Sequence, residues 1–230
     1  MNESVRVSEV EIPDIVIRRL PLYARELGLL ASEGRDFISS QELGRRLGVT
    51  PAQIRKDLSY FGRFGKRGRG YEVLSLRDRL RSILGLNGRV KEMVLVGVGQ
   101  LGRAVLGYRG FQLGGFEVVR VFDSDPSQIG RKIDNYRVDD VARLSEYLQK
   151  TRVAMGIVAV PAEAAPSVID ILVDGGVRAI LSYAPVTMSV PQGVRLRQID
   201  PVMELESMAY YLEEPFDGYV EDHQADVTAN

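Results

Sequence analysis

Apolar residues recur at helical spacing along the first third of the chain and in short β-branched runs along the rest. Val16, Leu20, Tyr23, Leu27 and Leu30 follow one another at steps of four, three, four and three, which makes one stripe of a first helix opening at Pro13. Pro21 falls inside that stripe, where its missing N–H removes a hydrogen bond and bends the helix, and Gly34 stops it. Ser39-Ser40-Gln41-Glu42 is a capping box that opens a short helix to Leu47, and Gly48-Val49 is a tight turn. Thr50-Pro51-Ala52-Gln53 is a second capping box, with proline at the first helical position. Two short helices around a turn containing glycine are the signature of a helix-turn-helix. Residues 75–86 carry Leu76, Leu80, Ile83 and Leu84 as an amphipathic linker helix, broken at Asn87-Gly88, where the domain boundary is placed.

Beyond that boundary the period changes. Strands are expected at 93–96, 116–123, 153–160, 178–182 and 194–199, with helices at 100–108, 139–150 and 162–174. A glycine-rich loop follows the first of these helices through Gly115, Asp125 caps a short helix with Pro126 at its first position, and 131–138 is ambiguous, read as a short edge strand. Strands alternating with helices at this spacing imply a parallel, doubly wound sheet. Val202, Leu205, Ala209 and Leu212 mark a last amphipathic helix. The fold class is therefore α/β: a winged helix-turn-helix over 1–88, a Rossmann-type doubly wound sheet over 89–200, a C-terminal helix at 201–213, and a disordered tail at 214–230. From Glu213 onward the chain has six acids and no basic residue.

The chemistry concentrates in two stretches. Met93–Gly102, MVLVGVGQLG, is a strand followed by G-x-G-x-x-G. Gly97 makes the strand-to-helix turn, Gly99 lets backbone approach a pyrophosphate, and Gly102 lets helix and sheet pack closely. Val98, Gln100 and Leu101 complete the loop, at a helix N-terminus that favours negative charge. Asp123 ends the next strand 21 residues after Gly102, the place of an acid that hydrogen-bonds a ribose 2′-OH. It favours NAD(H) over NADP(H), since a carboxylate there repels a 2′-phosphate, although Arg120 lies nearby in the strand. Ligands of such sheets lie across the carboxyl ends of the strands, which adds Pro161, Tyr183, Ala184 and Pro185 from two further loops.

The second stretch is the second short helix together with the glycine-basic run after it. At 100° per residue Ile54, Leu58 and Phe61 share one face, and Ala52, Arg55, Lys56, Ser59 and Arg63 the other. Such short or basic side chains can enter a major groove or reach phosphates. The run 63–71, RFGKRGRGY, reads as a wing. The candidate DNA contacts are Ser39, Thr50 and Gln53 at the helix starts; Arg55, Lys56, Ser59, Tyr60 and Arg63 on and after the second helix; and Lys66, Arg67 and Arg69 in the wing.

Charge supports the division. The whole chain has a net charge of −1, but residues 1–86 carry +5 and residues 87–230 carry −6. From Arg45 to Arg89 there are 12 basic residues against 3 acids, the distribution of a polyanion-binding module joined to a second domain. The absence of cysteine excludes disulfides and thiolate metal sites, and no metal is expected. No apolar run approaches the roughly 18 residues of a membrane helix, and the N-terminus lacks a signal peptide's apolar core, so no membrane partner and a cytoplasmic location are expected. The alternative to a DNA-binding switch is an NAD-dependent dehydrogenase with an N-terminal appendage. That activity needs a general acid/base near the hydride acceptor. The single His223 lies in the tail, and no length is left for a substrate domain.

These residues resemble the redox-sensing transcriptional repressors called Rex. The matching strings are RRLPLY (18–23), SSQELGRRLGVTPAQIRKDLSYFGRFGKRGRGY (39–71), LVGVGQLGRAV (95–105), VFDSDPSQIG (121–130), VAVPAEAA (158–165), GVRAILSYAPV (176–186) and IDPVMELESMAYYL (199–212). The resemblance implies a homodimer that binds a palindromic double-stranded DNA operator and is released when NADH binds the Rossmann domains, with NAD⁺ opposing release. NADH and NAD⁺ are then sensed ligands, not hydride donors, and the protein is not an enzyme. It also implies that the C-terminal helix, 202–212 here, is swapped onto the partner subunit, and that a switch network maps onto Arg25, Tyr108 and Asp200. Pro201 stands where the family has a bulky apolar residue, and the tail past Glu213 lies outside the pattern.

Overall fold

A computed structural model describes residues 12–65, 68–88 and 90–213. Lys66 and Arg67 of the expected wing, and the acidic tail with His223, lie outside the described residues. The chain divides into two compact units between Val90 and Lys91.

In the first unit, helix α1 (Asp14–Ser32) buries Val16, Leu20, Tyr23, Leu27 and Leu30, the stripe that the periodicity predicts. It runs on through Pro21, whose exposed position leaves the buried stripe intact on both sides. Strand β1 (Phe37–Ile38) leads into α2 (Ser40–Leu47), and α3 (Pro51–Ser59) follows the turn at Gly48. Both caps form: Ser39 Oγ accepts the Glu42 N–H at 3.0 Å, and Thr50 Oγ1 accepts the Gln53 N–H at 3.2 Å. Each such cap contributes about 1 kcal/mol and fixes where its helix starts. Strand β2 (Tyr71–Glu72) pairs antiparallel with β1 and closes the root of the wing, Ile38 opposite Tyr71. Gly70 stands at that root with φ +80°, and a Cβ there would run into the Ile38 carbonyl oxygen. Helix α4 (Val73–Ile83) starts two residues earlier than the periodicity suggests, because β2 passes straight into it and the Val73 N–H is taken by the Asp36 carbonyl. One core joins α1, α2, α3 and α4 through Leu20, Leu27, Leu43, Ile54, Leu76 and Leu80.

The second unit runs β3 (Lys91–Val96), α5 (Gln100–Leu106), α6 (Gly110–Gly114), β4 (Phe116–Asp123), β5 (Lys132–Ile133), β6 (Tyr136–Asp140), α7 (Leu144–Lys150), β7 (Met155–Val158), α8 (Ala165–Asp174), β8 (Ala179–Ser182), β9 (Arg195–Gln198) and α9 (Pro201–Glu213). The seven strands lie in the order β5-β6-β4-β3-β7-β8-β9, parallel throughout except for the β5–β6 hairpin. This is the doubly wound sheet expected. One face packs Val94, Val96 and Phe122 against Leu144 and Leu148 of α7 and Ile169 and Leu172 of α8. The other packs Met93, Leu95 and Val121 against Val105 of α5.

Several local expectations are corrected. The segment 110–115 is a short helix, α6, ended by Gly115 in the left-handed region, rather than a loop. The residues after Asp123 form turns and no helix: Asp125 accepts the Ser127 N–H at 2.8 Å as a cap would, but the chain turns back before a second helical turn forms. Residues 139–140 belong to β6, paired parallel with β4, and α7 begins only at Leu144 after a single 3-10 turn. Strand β7 and helix α8 are also shorter than expected, since Ala159–Ala164 are spent on the connecting loop.

Candidate functional site

The glycine turn after β3 is built as its sequence implies. Gly97 is buried with φ +95°, and a Cβ there would meet the backbone oxygen of Ala159. A Cβ on Gly102 would strike the Gly97 carbonyl, so only glycine lets α5 pass this close to the turn. Around Gly99, which caps α5, nothing lies within 4 Å of a Cβ position. Two glycines are filled against protein and the middle one faces open space, where a pyrophosphate would approach backbone. Gln100 and Leu101 are exposed beside it and Val98 is buried.

Asp123 closes the other side of the turn. Its Oδ2 accepts the Val98 N–H at 2.7 Å and its Oδ1 the Asp125 N–H at 2.8 Å. A carboxylate has about four acceptor sites, so both oxygens retain capacity for ribose hydroxyls. Hydrogen bonds from the Ser127 hydroxyl and N–H hold the Asp125 carboxyl below its ordinary range. Two carboxylates thus stand together at the end of β4, a setting that disfavours a further phosphate. Arg120 does not offset them, since its guanidinium pairs with Asp139 and lies over the Tyr147 ring. Sequence reasoning missed Arg103, whose Nε donates to the Val98 carbonyl at 3.1 Å and whose Nη2 donates to Gln128 Oε1 at 2.7 Å. It braces the glycine turn against the 124–130 turn; nothing local in the sequence marks a pair 25 residues apart.

Four backbone hydrogen bonds tie the carboxyl ends of five strands, β4, β3, β7, β8 and β9, in a row. The N–H groups of Gly97, Ala159, Tyr183 and Ile199 donate to the carbonyls of Phe122, Val96, Val158 and Ser182, each at 2.8 or 2.9 Å. These rungs bring the Asp123, Pro161 and Tyr183 loops to one edge of the sheet. Pro161 and Pro185 are exposed there, and Ala184 is buried. Buried Ser182 shapes its loop by donating to the Ala184 carbonyl and accepting the Ala184 N–H. Burial pushes the Tyr183 phenol above its ordinary pKa, with a smaller contribution from the nearby Tyr108. That direction is opposite to the one a catalytic phenol near neutral pH requires.

Of the switch residues, Tyr108 is exposed and packs edge-on against Phe111 at 5.3 Å. Asp200 accepts the Val202 N–H at 2.9 Å, at the entry to α9. Arg25 is exposed on α1, in the first unit.

In the first unit, Arg55, Lys56 and Ser59 are exposed on α3 while Ile54, Asp57 and Leu58 are buried. Arg55 Nη1 donates to Ser40 Oγ at 2.9 Å, which ties it to the first residue of α2. A groove of about 590 Å³ is lined by Ser39, Arg55, Ser59, Arg63 and Arg69. Arg69 stacks over Phe37 at 4.3 Å, which anchors the wing root. Thr50 is exposed and Tyr60 half-buried. Gln53 is half-buried, and its side-chain amide donates to buried Asp57 Oδ1 at 2.6 Å, which leaves its second N–H and its carbonyl oxygen for other partners. If the exposed face of α3 reads DNA, replacing Arg55 and Lys56 together by Ala lowers affinity for operator at least ~30-fold, since each charge-assisted contact is worth roughly 1–3 kcal/mol. NADH affinity, measured by fluorescence titration on the same variant, is expected to stay at the wild-type value.

Among the described residues there is no cluster of three potential metal-ligating side chains, and no helix is long and apolar enough to cross a membrane.

The same two units emerge from comparison with known proteins. Residues 11–59 match the family model described as "Putative DNA-binding protein N-terminus", and residues 89–186 match "CoA binding domain". The redox-sensing transcriptional repressor Rex of Chloroflexus aurantiacus is 53% identical over 200 residues, covering 87% of this chain and 94% of that protein. Rex of Carboxydothermus hydrogenoformans is 44% identical, covering 87% and 96%. Among solved structures, RSP in complex with β-NAD⁺ and operator DNA superposes with a TM-score of 0.82 at 36% identity, covering 88% of this chain and 93% of that one. RSP in complex with β-NADH gives 0.79 at 35% identity, covering 87% and 94%. These relatives are named as repressors and not as dehydrogenases. With a helix-turn-helix in one unit, a dinucleotide-type glycine turn in the other and identity above 50% across both, the chain belongs to the Rex family of redox-sensing transcriptional repressors.

Proposed function

We propose that this protein is an NADH-responsive repressor that binds a palindromic operator as a homodimer and leaves it when NADH occupies the Rossmann units. The observation that carries the reading is the pairing, in one chain, of an exposed basic face on α3 with a glycine turn whose acid, Asp123, is already fixed by the Val98 N–H. The DNA-binding unit is assigned to 1–88, the NAD(H) unit to 89–200 and the dimerising helix to 201–213. Support for the dimer comes from α9, on which Val202, Met203, Leu205, Met208, Tyr210, Tyr211 and Leu212 are all more than half exposed. A helix with apolar side chains on every side is normally buried, and here a partner copy would bury it. Arg25, Tyr108 and Asp200 are proposed to relay the state of the nicotinamide, and a cytoplasmic location follows from the DNA partner.

DNA and NADH compete through two conformations, so each weakens the other's binding by one common factor. A mobility shift on a palindromic operator tests this. NADH is expected to release the DNA, while NAD⁺ and NADPH at the same concentration leave it bound. An operator complex indifferent to NADH would overturn the reading. Asp123→Ala is expected to raise the NADH concentration needed for release by at least ~10-fold, the loss of one or two charge-assisted hydrogen bonds, with operator affinity unchanged. An unaltered NADH titration would remove Asp123 from the site.

A further inference from the structure

Asp57 is the only acid between Arg45 and Tyr71, the most basic stretch of the chain, and it is wholly buried. Its carboxylate is saturated by directional bonds. Arg19 donates from Nε to Oδ2 at 2.6 Å and from Nη2 to Oδ1 at 2.8 Å. Tyr23 donates its hydroxyl to Oδ2 at 2.7 Å, and Gln53 its amide to Oδ1 at 2.6 Å. Arg19 and Tyr23 are one turn apart on α1, so the cradle joins α1 to α3, the helix that presents Arg55, Lys56 and Ser59. Burial by itself would raise the Asp57 pKa, and the hydrogen bonds from Arg19, Tyr23 and Gln53 outweigh it and hold the group ionised.

Stability alone does not account for this arrangement. A buried ion pair recovers little beyond its desolvation cost, and apolar residues of similar volume serve as well or better. Ile54 and Leu58 already provide apolar anchorage for α3. That anchorage is non-directional and tolerates small rotations of the helix about its axis. A carboxylate held from two sides by a planar guanidinium fork does not. Burial also keeps the one acid of the 45–71 stretch off the exposed face that carries Arg55, Lys56 and Ser59.

We propose that Asp57 is a positioning residue for operator reading, and that the cradle of Arg19, Tyr23 and Gln53 sets the rotation of α3 on α1 and so the aim of Arg55, Lys56 and Ser59. The same cradle makes α1 and α3 move as one body, so a displacement of α1 reorients the reading face. This rests on the assignment of α3 as the operator-reading helix.

The test uses the full chain in two forms. Asp57→Asn keeps the shape and removes the charge; Arg19→Met with Tyr23→Phe and Asp57→Leu replaces the cradle by apolar contacts. Each is compared with wild type for melting temperature, NADH affinity, and the ratio of operator affinity to affinity for a scrambled duplex. The triple variant is expected to melt no lower than wild type and to bind NADH normally, yet to lose at least ~10-fold in the operator-to-scrambled ratio, the discrimination of one misplaced base contact. Asp57→Asn, read at a temperature where it is fully folded, is expected to lose discrimination in the same direction, and this reading decides alone if the triple variant fails to fold. A folded variant with the wild-type ratio overturns the proposal. Failure of the wild-type protein to discriminate operator from scrambled DNA would overturn the assignment of α3 instead.

Discussion

Removing residues 202–230 is expected to convert the protein to a monomer and to lower operator affinity by at least ~100-fold, the scale set by losing the second half-site's effective concentration. Along α9, seven large apolar or aromatic side chains are exposed by more than half of their area, Leu212 by 85%. The acids Glu204 and Glu206 lie between them, so the helix presents large apolar side chains to solvent along with its charges, unlike a polar surface helix. Its start is fixed regardless of a partner, because Asp200 caps Val202 and Ile199 is tied to Ser182. A helix pinned at its base and exposed along its length is what a swapped element needs. Light scattering on the shortened chain is the direct check, and an intact dimer would refute the assignment. Binding to a single half-site is expected to stay close to the wild-type level, because the first unit's core closes within α1 to α4.

Gly97→Ala is expected to abolish measurable NADH binding, a weakening of at least ~100-fold or about 2.7 kcal/mol, and to leave a protein that holds operator at any NADH concentration. The added methyl group meets the Ala159 backbone oxygen, which is itself locked because the Ala159 N–H donates to Val96. Neither side of that contact is a flexible side chain. With φ at +95° the substituted residue is strained as well, and relief comes only by shifting the turn that receives the pyrophosphate. Isothermal titration with NADH and a mobility shift at saturating NADH read the two halves of this expectation separately. If the variant still releases DNA in response to NADH, the glycine turn is not the ligand site.

The parts of both sites that were legible in the sequence are those whose causes are local. The α1 stripe, the caps at Ser39 and Thr50, the glycine turn and the full extent of β4 each follow from neighbours a few residues apart. Strands β1 and β2 have two residues each, too few for a period, and exist because each supplies the other's hydrogen bonds across the wing. Strand β6 reads YRVDD, in which only Val138 is buried, and it is a strand because β4 lies beside it. The same holds for function. Nothing next to Arg103 or Asp57 in the sequence marks either of them, and only the fold reveals that one braces the glycine turn and the other joins α3 to α1. Gln53 is a mixed case: its position on α3 marks it as a candidate DNA contact, and only the fold reveals its hydrogen bond to Asp57 four residues on.

The four rungs at the sheet's edge separate two kinds of change that selection could make. They are made by backbone N–H and C=O groups, so they are indifferent to which side chains the loops carry. Pro161, Tyr183 and Pro185 could be exchanged without moving the glycine turn, provided the backbone of each loop still meets its neighbour. On the proposed reading, in which these loops border the nicotinamide, the ratio of reduced to oxidised ligand at which the protein responds can drift between lineages while the architecture stays constant. A sensor built that way would be calibrated by its loops and kept in register by its main chain.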